Sequence, residues 1–80
     1  MAKQRVLFTF PTKLIKEPVI YDLGHKFRIV TNIRRADVRD DMGWVVLELE
    51  GDQSEIQRGL DWVRGTGVKA DLVSGDVIQG

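Results

Sequence analysis

The sequence predicts an α+β sandwich of two layers, a four-stranded antiparallel sheet with two helices on one face. Two β-branched runs, Phe27 to Arg39 and Trp44 to Gly51, flank the short acidic, glycine-containing connection Asp40-Asp41-Met42-Gly43, the pattern of a β-hairpin. Two further runs, Arg5 to Phe10 and Val68 to Val73, carry apolar residues at every second position. Between each of these and the hairpin, apolar residues recur at helical spacing. The element order is therefore β-α-β-β-α-β. Right-handed crossovers and short loops turn that order into a ferredoxin-like sandwich with strand order 4-1-3-2.

In the first strand, Val6, Phe8 and Phe10 share a face, Leu7 and Thr9 take the other, and Pro11 stops the run because proline cannot donate to a ladder. Thr12 to Glu17 reads as a connecting loop with two apolar anchors, Leu14 and Ile15. Pro18 marks the start of the first helix, since proline is tolerated at the first helical position. Ile20, Leu23 and Phe27 form its core stripe, and Gly24 costs it roughly 1 kcal/mol against alanine, so it should be short.

The hairpin follows. Phe27, Ile29, Thr31 and Ile33 alternate with Arg28, Val30, Asn32 and Arg34; Val45, Leu47 and Leu49 alternate with Trp44, Val46, Glu48 and Glu50. Asp52 and Glu55 are spaced as a capping box for the second helix, whose stripe is Ile56, Leu60 and Val63 flanked by Trp62. Gly65-Thr66-Gly67 ends it. The last strand turns Val68, Ala70 and Leu72 inward. Ser74 to Gly80 lacks a strong signal and is expected to fray. The whole of 1–80 is one domain with an ordered core over about 4–74. The strand from Phe27 to Val38 falls at an edge, and the face away from the helices carries Leu7, Thr9, Val30, Asn32, Trp44 and Val46. That face is too apolar for a solvated surface and, with a free edge beside it, suggests a partner.

Composition narrows the classes. Twelve basic and twelve acidic residues cancel, so no long-range field attracts nucleic acid or an anionic membrane. Without cysteine there is no disulfide scaffold, thiolate metal site or iron–sulfur cluster in these residues, which fits a cytoplasmic protein. No apolar run approaches the ~20 residues that span a bilayer.

A search for chemistry finds no catalytic constellation, and the chain is expected not to be an enzyme, with no catalytic residues, no metal site and no cofactor. His25 is the single histidine and reads as a solvated helix-end residue. Ser54 and Ser74 occupy cap and turn contexts. Asp37, Asp40 and Asp41 lack calcium-loop spacing and interleave with Arg34, Arg35 and Arg39, the pattern of a solvated hairpin end. An acylphosphatase would need a glycine-rich, arginine-bearing cradle after the first strand, where this chain has Phe-Pro-Thr-Lys-Leu-Ile-Lys. An RNA-recognition module would need stacking aromatics on the central strands, where only Trp44 lies on the open face.

Leu7-Phe8-Thr9-Phe10-Pro11, Glu17-Pro18-Val19-Ile20, Phe27 to Asn32-Ile33, Gly43-Trp44 to Glu50-Gly51, Trp62-Val63 and Gly67-Val68 together resemble the NIL domain, over nearly the whole chain. NIL domains stand at the C-terminus of methionine-importing ABC transporter ATPases, where they pair across a homodimer and bind methionine, which inhibits uptake. Others are fused to ferredoxin-type iron–sulfur domains or stand alone in bacteria. The chain departs from the transporter in having no ATPase motif and from the ferredoxin fusion in having no cysteine. What the resemblance implies is a standalone regulatory module that binds a small amino acid, methionine, at a homodimer interface. Its ligand-binding residues would be Asn32 and Ile33, because the transporter's asparagine before the isoleucine lies at the methionine site. The planar amide of Asn32 suits an amino acid's carboxylate and ammonium. Val30, Arg34, Trp44 and Val46 would form the dimer interface. The competing expectation is a ligand-free dimerisation or protein-docking module, with a transporter or ferredoxin as partner.

Overall fold

The computed structural model describes residues 1–73. It consists of β1 (Ala2–Phe10), α1 (Val19–Lys26), β2 (Ile29–Val38), β3 (Gly43–Gly51), α2 (Gln53–Thr66) and β4 (Lys69–Leu72), with a 3-10 turn at Thr12–Leu14 between β1 and α1. The strands form one antiparallel sheet in the order β2-β3-β1-β4, so β2 and β4 are its edges. This is the ferredoxin-like sandwich. The expected fraying of Ser74 to Gly80 lies outside the described residues.

The first strand begins three residues earlier than its pattern suggests. Ala2, Lys3 and Gln4 stand opposite Gly51, Glu50 and Leu49, so the far end of β3 holds them in the ladder despite their composition. In α1 Val19 and Leu23 are buried, whereas Ile20 is half-buried and packs against the core from its margin. The helix is short, eight residues, and Phe27 leaves it at φ −127°, already extended.

Between sheet and helices lies the core: Val6 and Phe8 from β1, Leu47 and Leu49 from β3, Leu23 from α1, and Ile56, Leu60 and Val63 from α2, all essentially inaccessible to solvent. Gly59 sets the depth of α2 in it. A Cβ there would stand 2.7 Å from Ile29 Cδ1 and 2.8 Å from Leu23 Cδ1, so the missing side chain lets α2 sit tightly against α1 and β2.

The capping box at Asp52 does not form. Asp52 is the N-cap of α2 but makes no side-chain cap bond. Glu55 Oε1 instead accepts from the Arg28 backbone N–H at 3.0 Å, and its other oxygen pairs with Arg58 at 2.6 Å. The carboxylate thus ties the start of α2 to the α1–β2 junction, a tertiary use the sequence spacing does not reveal. At the other end, Gly67 adopts φ 108°, the left-handed conformation that favours glycine, and its N–H donates to Arg64 O at 3.1 Å. Leu72 alternates inward as expected but remains 54% exposed, because it ends an edge strand beyond the cover of the helices.

Candidate functional site

The two helices do not cover the whole inner face of the sheet. Near the β2–β3 turn, Ile33 and Val38 are 55% and 57% exposed although both point to the helix side. The cause is a bulge in β2. Ile33 stands opposite Leu47 and Arg35 opposite Val46, so Arg34 is an extra residue on β2. Before the bulge the inner positions are the odd ones, Ile29, Thr31 and Ile33; after it they are the even ones, Ala36 and Val38, opposite Val45 and Gly43.

The uncovered area forms the wall of an apolar pocket of about 270 Å³. Ile33, Ala36 and Val38 supply its sheet side, Phe10 and Val45 its floor, and Ile15, Val19 and Ile20 its opposite side. Glu17 and Tyr21 are its only lining residues with polar side-chain groups. Clefts for drug-sized ligands run to ~300–1,000 Å³, so this pocket suits one small apolar group. The two loop anchors have separate tasks. Leu14 packs near Gly67, where a Cβ would lie 3.1 Å from its Cδ1, while Ile15 lines the pocket.

A more polar groove of about 700 Å³ adjoins the pocket and shares Ile15, Glu17 and Val38 with it. Thr12, Lys13 and Lys16 border it on one side, Arg39 and Asp40 on the other. Thr12 Oγ1 donates to Asp41 O at 2.7 Å, tying the 3-10 turn to the hairpin tip. Arg39 is bound to Asp37 by two bonds of 3.2 Å, which raise its pKa further above the ordinary arginine value.

Of the residues expected at a ligand site, Ile33 lines the pocket and Asn32 does not. Asn32 is exposed on the opposite face, across from Glu48. Adjacent residues of a strand point to opposite sides of the sheet, so their side chains serve one site only through the edge backbone between them. The four residues expected at a dimer interface also spread out. Val30 is 62% exposed opposite Glu50, while Trp44 lies opposite Asp37, about 20 Å away along β3. Arg34 is the bulged edge residue. Trp44 and Val46 join Leu7, Thr9 and Arg35 around a shallow depression of about 410 Å³ on the open face. His25 is exposed in the last turn of α1, stacked on Tyr21 with ring centroids 4.0 Å apart. Among the described residues, no group of three or more histidine, aspartate or glutamate side chains is placed to hold a metal ion, and no helix is long and apolar enough to cross a membrane.

The pocket residues outside Ile33 were overlooked because they come from five separate segments. One signal was available: the apolar positions of β2 change parity between Ile33 and Ala36, which marks the bulge.

Among solved structures, the fold matches the C-terminal domain of an ABC transporter ATP-binding protein from Enterococcus faecalis with a TM-score of 0.78, covering 90% of this chain and 84% of that one at 16% identity. No protein with a curated description matches. The NIL domain matches residues 4–71, from near the start of β1 into β4, and takes in both walls of the pocket. The chain belongs to the NIL domain family.

Proposed function

We propose that this NIL domain is a regulatory module rather than an enzyme, that it binds a small apolar amino acid, methionine foremost, and that it acts in the cytoplasm as a homodimer. The observation that carries this reading is the apolar pocket of about 270 Å³ beneath Ile33, open to solvent beside an edge strand. A thioether is soft and weakly directional, and a pocket walled by isoleucine, valine and phenylalanine suits it. The free edge of β2 offers unpaired backbone groups for a second copy, which would join two four-stranded sheets into one. The likeness to a transporter ATPase domain favours a transporter as the protein that reads the ligand state, with an iron–sulfur protein as the other candidate.

The test is a methionine titration of the chain followed by amide shifts in NMR. Shifts should cluster at Ile15, Tyr21, Ile33 and Val38, and Ile33→Ala should weaken binding. Asn32 projects from the opposite, exposed face, so Asn32→Ala should leave the affinity of a single chain's pocket unchanged, and a loss would mean that a second copy brings that face to the ligand. Absence of shifts in the unmutated chain would sink the ligand reading.

A second reading, a ligand-free docking or dimerisation module, is favoured by the open face, where Leu7, Trp44 and Val46 rim a depression that no described residue fills. Trp44→Ser would then weaken association measured by sedimentation while leaving the methionine titration unchanged.

A further inference from the structure

The bulge at Arg34 acts on both faces of the sheet. Ile33 faces the helices, and in an unbroken strand position 35 would face them too. The surplus residue turns Arg35 outward instead, opposite Val46, onto the face that no helix covers. There it lines the shallow depression of about 410 Å³ with Leu7, Thr9, Trp44 and Val46. Leu7, Val46 and the Trp44 ring supply the apolar surface. The polar groups are the Arg35 guanidinium, the Thr9 hydroxyl and the Trp44 indole N–H, each able to donate. Among the described residues none of these three groups has a hydrogen bond or ion pair. The carboxylates that flank the depression are already engaged. Asp37, opposite Trp44, is paired with Arg39 at 3.2 Å, and Asp71, opposite Leu7, with Lys69 at 4.0 Å. Glu48, two residues beyond Val46, is paired with Arg5 at 3.7 Å.

We propose that this depression docks an acidic, apolar segment of another protein. One bulky apolar side chain sits between Leu7, Trp44 and Val46, and a neighbouring aspartate or glutamate pairs with Arg35. This rests on the docking reading above, adds the chemistry of the partner, and is independent of what fills the pocket on the other face. Charge complementarity selects the occupant. An apolar segment without a carboxylate would cover Arg35 and leave it unpaired, which is costly. A basic segment would set like charges together. A second copy laid on this face by a two-fold axis would present the same patch, with another Arg35 and no unpaired carboxylate to meet it. A free small molecule is a poorer match, since sites for such ligands enclose most of their surface.

Display of random dodecapeptides against the immobilised chain tests the assignment. Selection on the parent should enrich peptides with aspartate or glutamate beside leucine, phenylalanine or tryptophan. Selection on Arg35→Glu should enrich lysine or arginine at that place. A synthetic copy of the leading parent-selected peptide, followed by fluorescence anisotropy, should bind Trp44→Ser about tenfold more weakly. It should bind Arg35→Glu about fivefold more weakly, as expected for a solvent-exposed charge pair. Neither residue belongs to the buried core, so both variants should fold, which circular dichroism checks. Arg35→Glu, on the exposed edge strand, decides alone if Trp44→Ser does not fold. Enrichment without acidic residues, or binding that needs Trp44 and ignores Arg35→Glu, would overturn the acidic partner and leave the docking reading in place. No enrichment, or binding indifferent to both substitutions, would overturn both. Self-association of the parent that Trp44→Ser abolishes would assign the face to a second copy and overturn the proposal.

Discussion

The inner face of the sheet has two halves built from the same kinds of residue. Around Leu23, Ile29, Leu49 and Ile56, both helices close on the strands so tightly that a single added methyl at Gly59 has no room. Around Ile33, Ala36 and Val38, isoleucine and valine of the same sheet stand more than half exposed and line a pocket. Hydrophobicity does not distinguish the halves. Cover does: α1 is eight residues long and starts at Val19, and the bulge at Arg34 carries the end of β2 past it. Burial is concentrated in one half, and the other keeps its apolar side chains open to solvent around the pocket.

The largest effect that probes this contrast is Leu47→Ala. Leu47 is fully buried, and its truncation should cost ~2–5 kcal/mol in chemical denaturation, enough to threaten folding of an 80-residue domain. Gly59→Val comes next. It overpacks the closed half and should cost about 1–3 kcal/mol, read as a lower denaturation midpoint at unchanged slope. Ile33→Ala should cost less than about 1 kcal/mol, because much of that side chain already contacts water. Comparable losses for Leu47→Ala and Ile33→Ala would show that the two halves are equally sealed in solution.

The smallest effect concerns Glu55, at the border of the closed half. The bond from the Arg28 N–H, aided by Arg58, holds its carboxyl below the ordinary glutamate value against the opposing effect of burial. A carboxyl lowered in the folded state stabilises above its unfolded value, and that contribution is lost as pH falls through the folded one. Glu55→Gln should therefore flatten the acid side of the stability curve and leave the neutral and alkaline sides parallel to the parent's. An acid limb identical to the parent's would mean the Arg28–Glu55 bond does not persist in solution.

The closed half was largely legible in the sequence, since its residues follow the two periods of strand and helix. Val6, Phe8, Leu47, Leu49, Ile56, Leu60 and Val63 all lie where alternation and the helical stripe put them. What escaped is tertiary in origin. Ala2 to Gln4 become strand because β3 is long enough to pair them, and Glu55 looks like a capping residue but bonds to Arg28 across 27 positions. Val19 rather than Ile20 is buried, since Val19 and Leu23 share the i, i+4 face of α1 that meets the core. The open half was harder still. Asn32 and Ile33 are neighbours in sequence and face opposite ways, and the pocket depends on a helix ending early and a strand carrying one residue too many.

That surplus residue has a consequence for how the strand can vary in length. Removing one residue from a paired strand ordinarily turns every side chain on one side of the gap to the wrong face. Deleting Arg34 would not. Ile33 would stay opposite Leu47, Arg35 would follow directly opposite Val46, and both would keep their present sides. Deleting Asn32 instead would force Ile33 outward or Arg34 inward. The tolerated loss is thus confined to the one position that the partner strand does not count, and its effect would fall on the local twist, and so on the shape of the pocket mouth, while the core is left as it was.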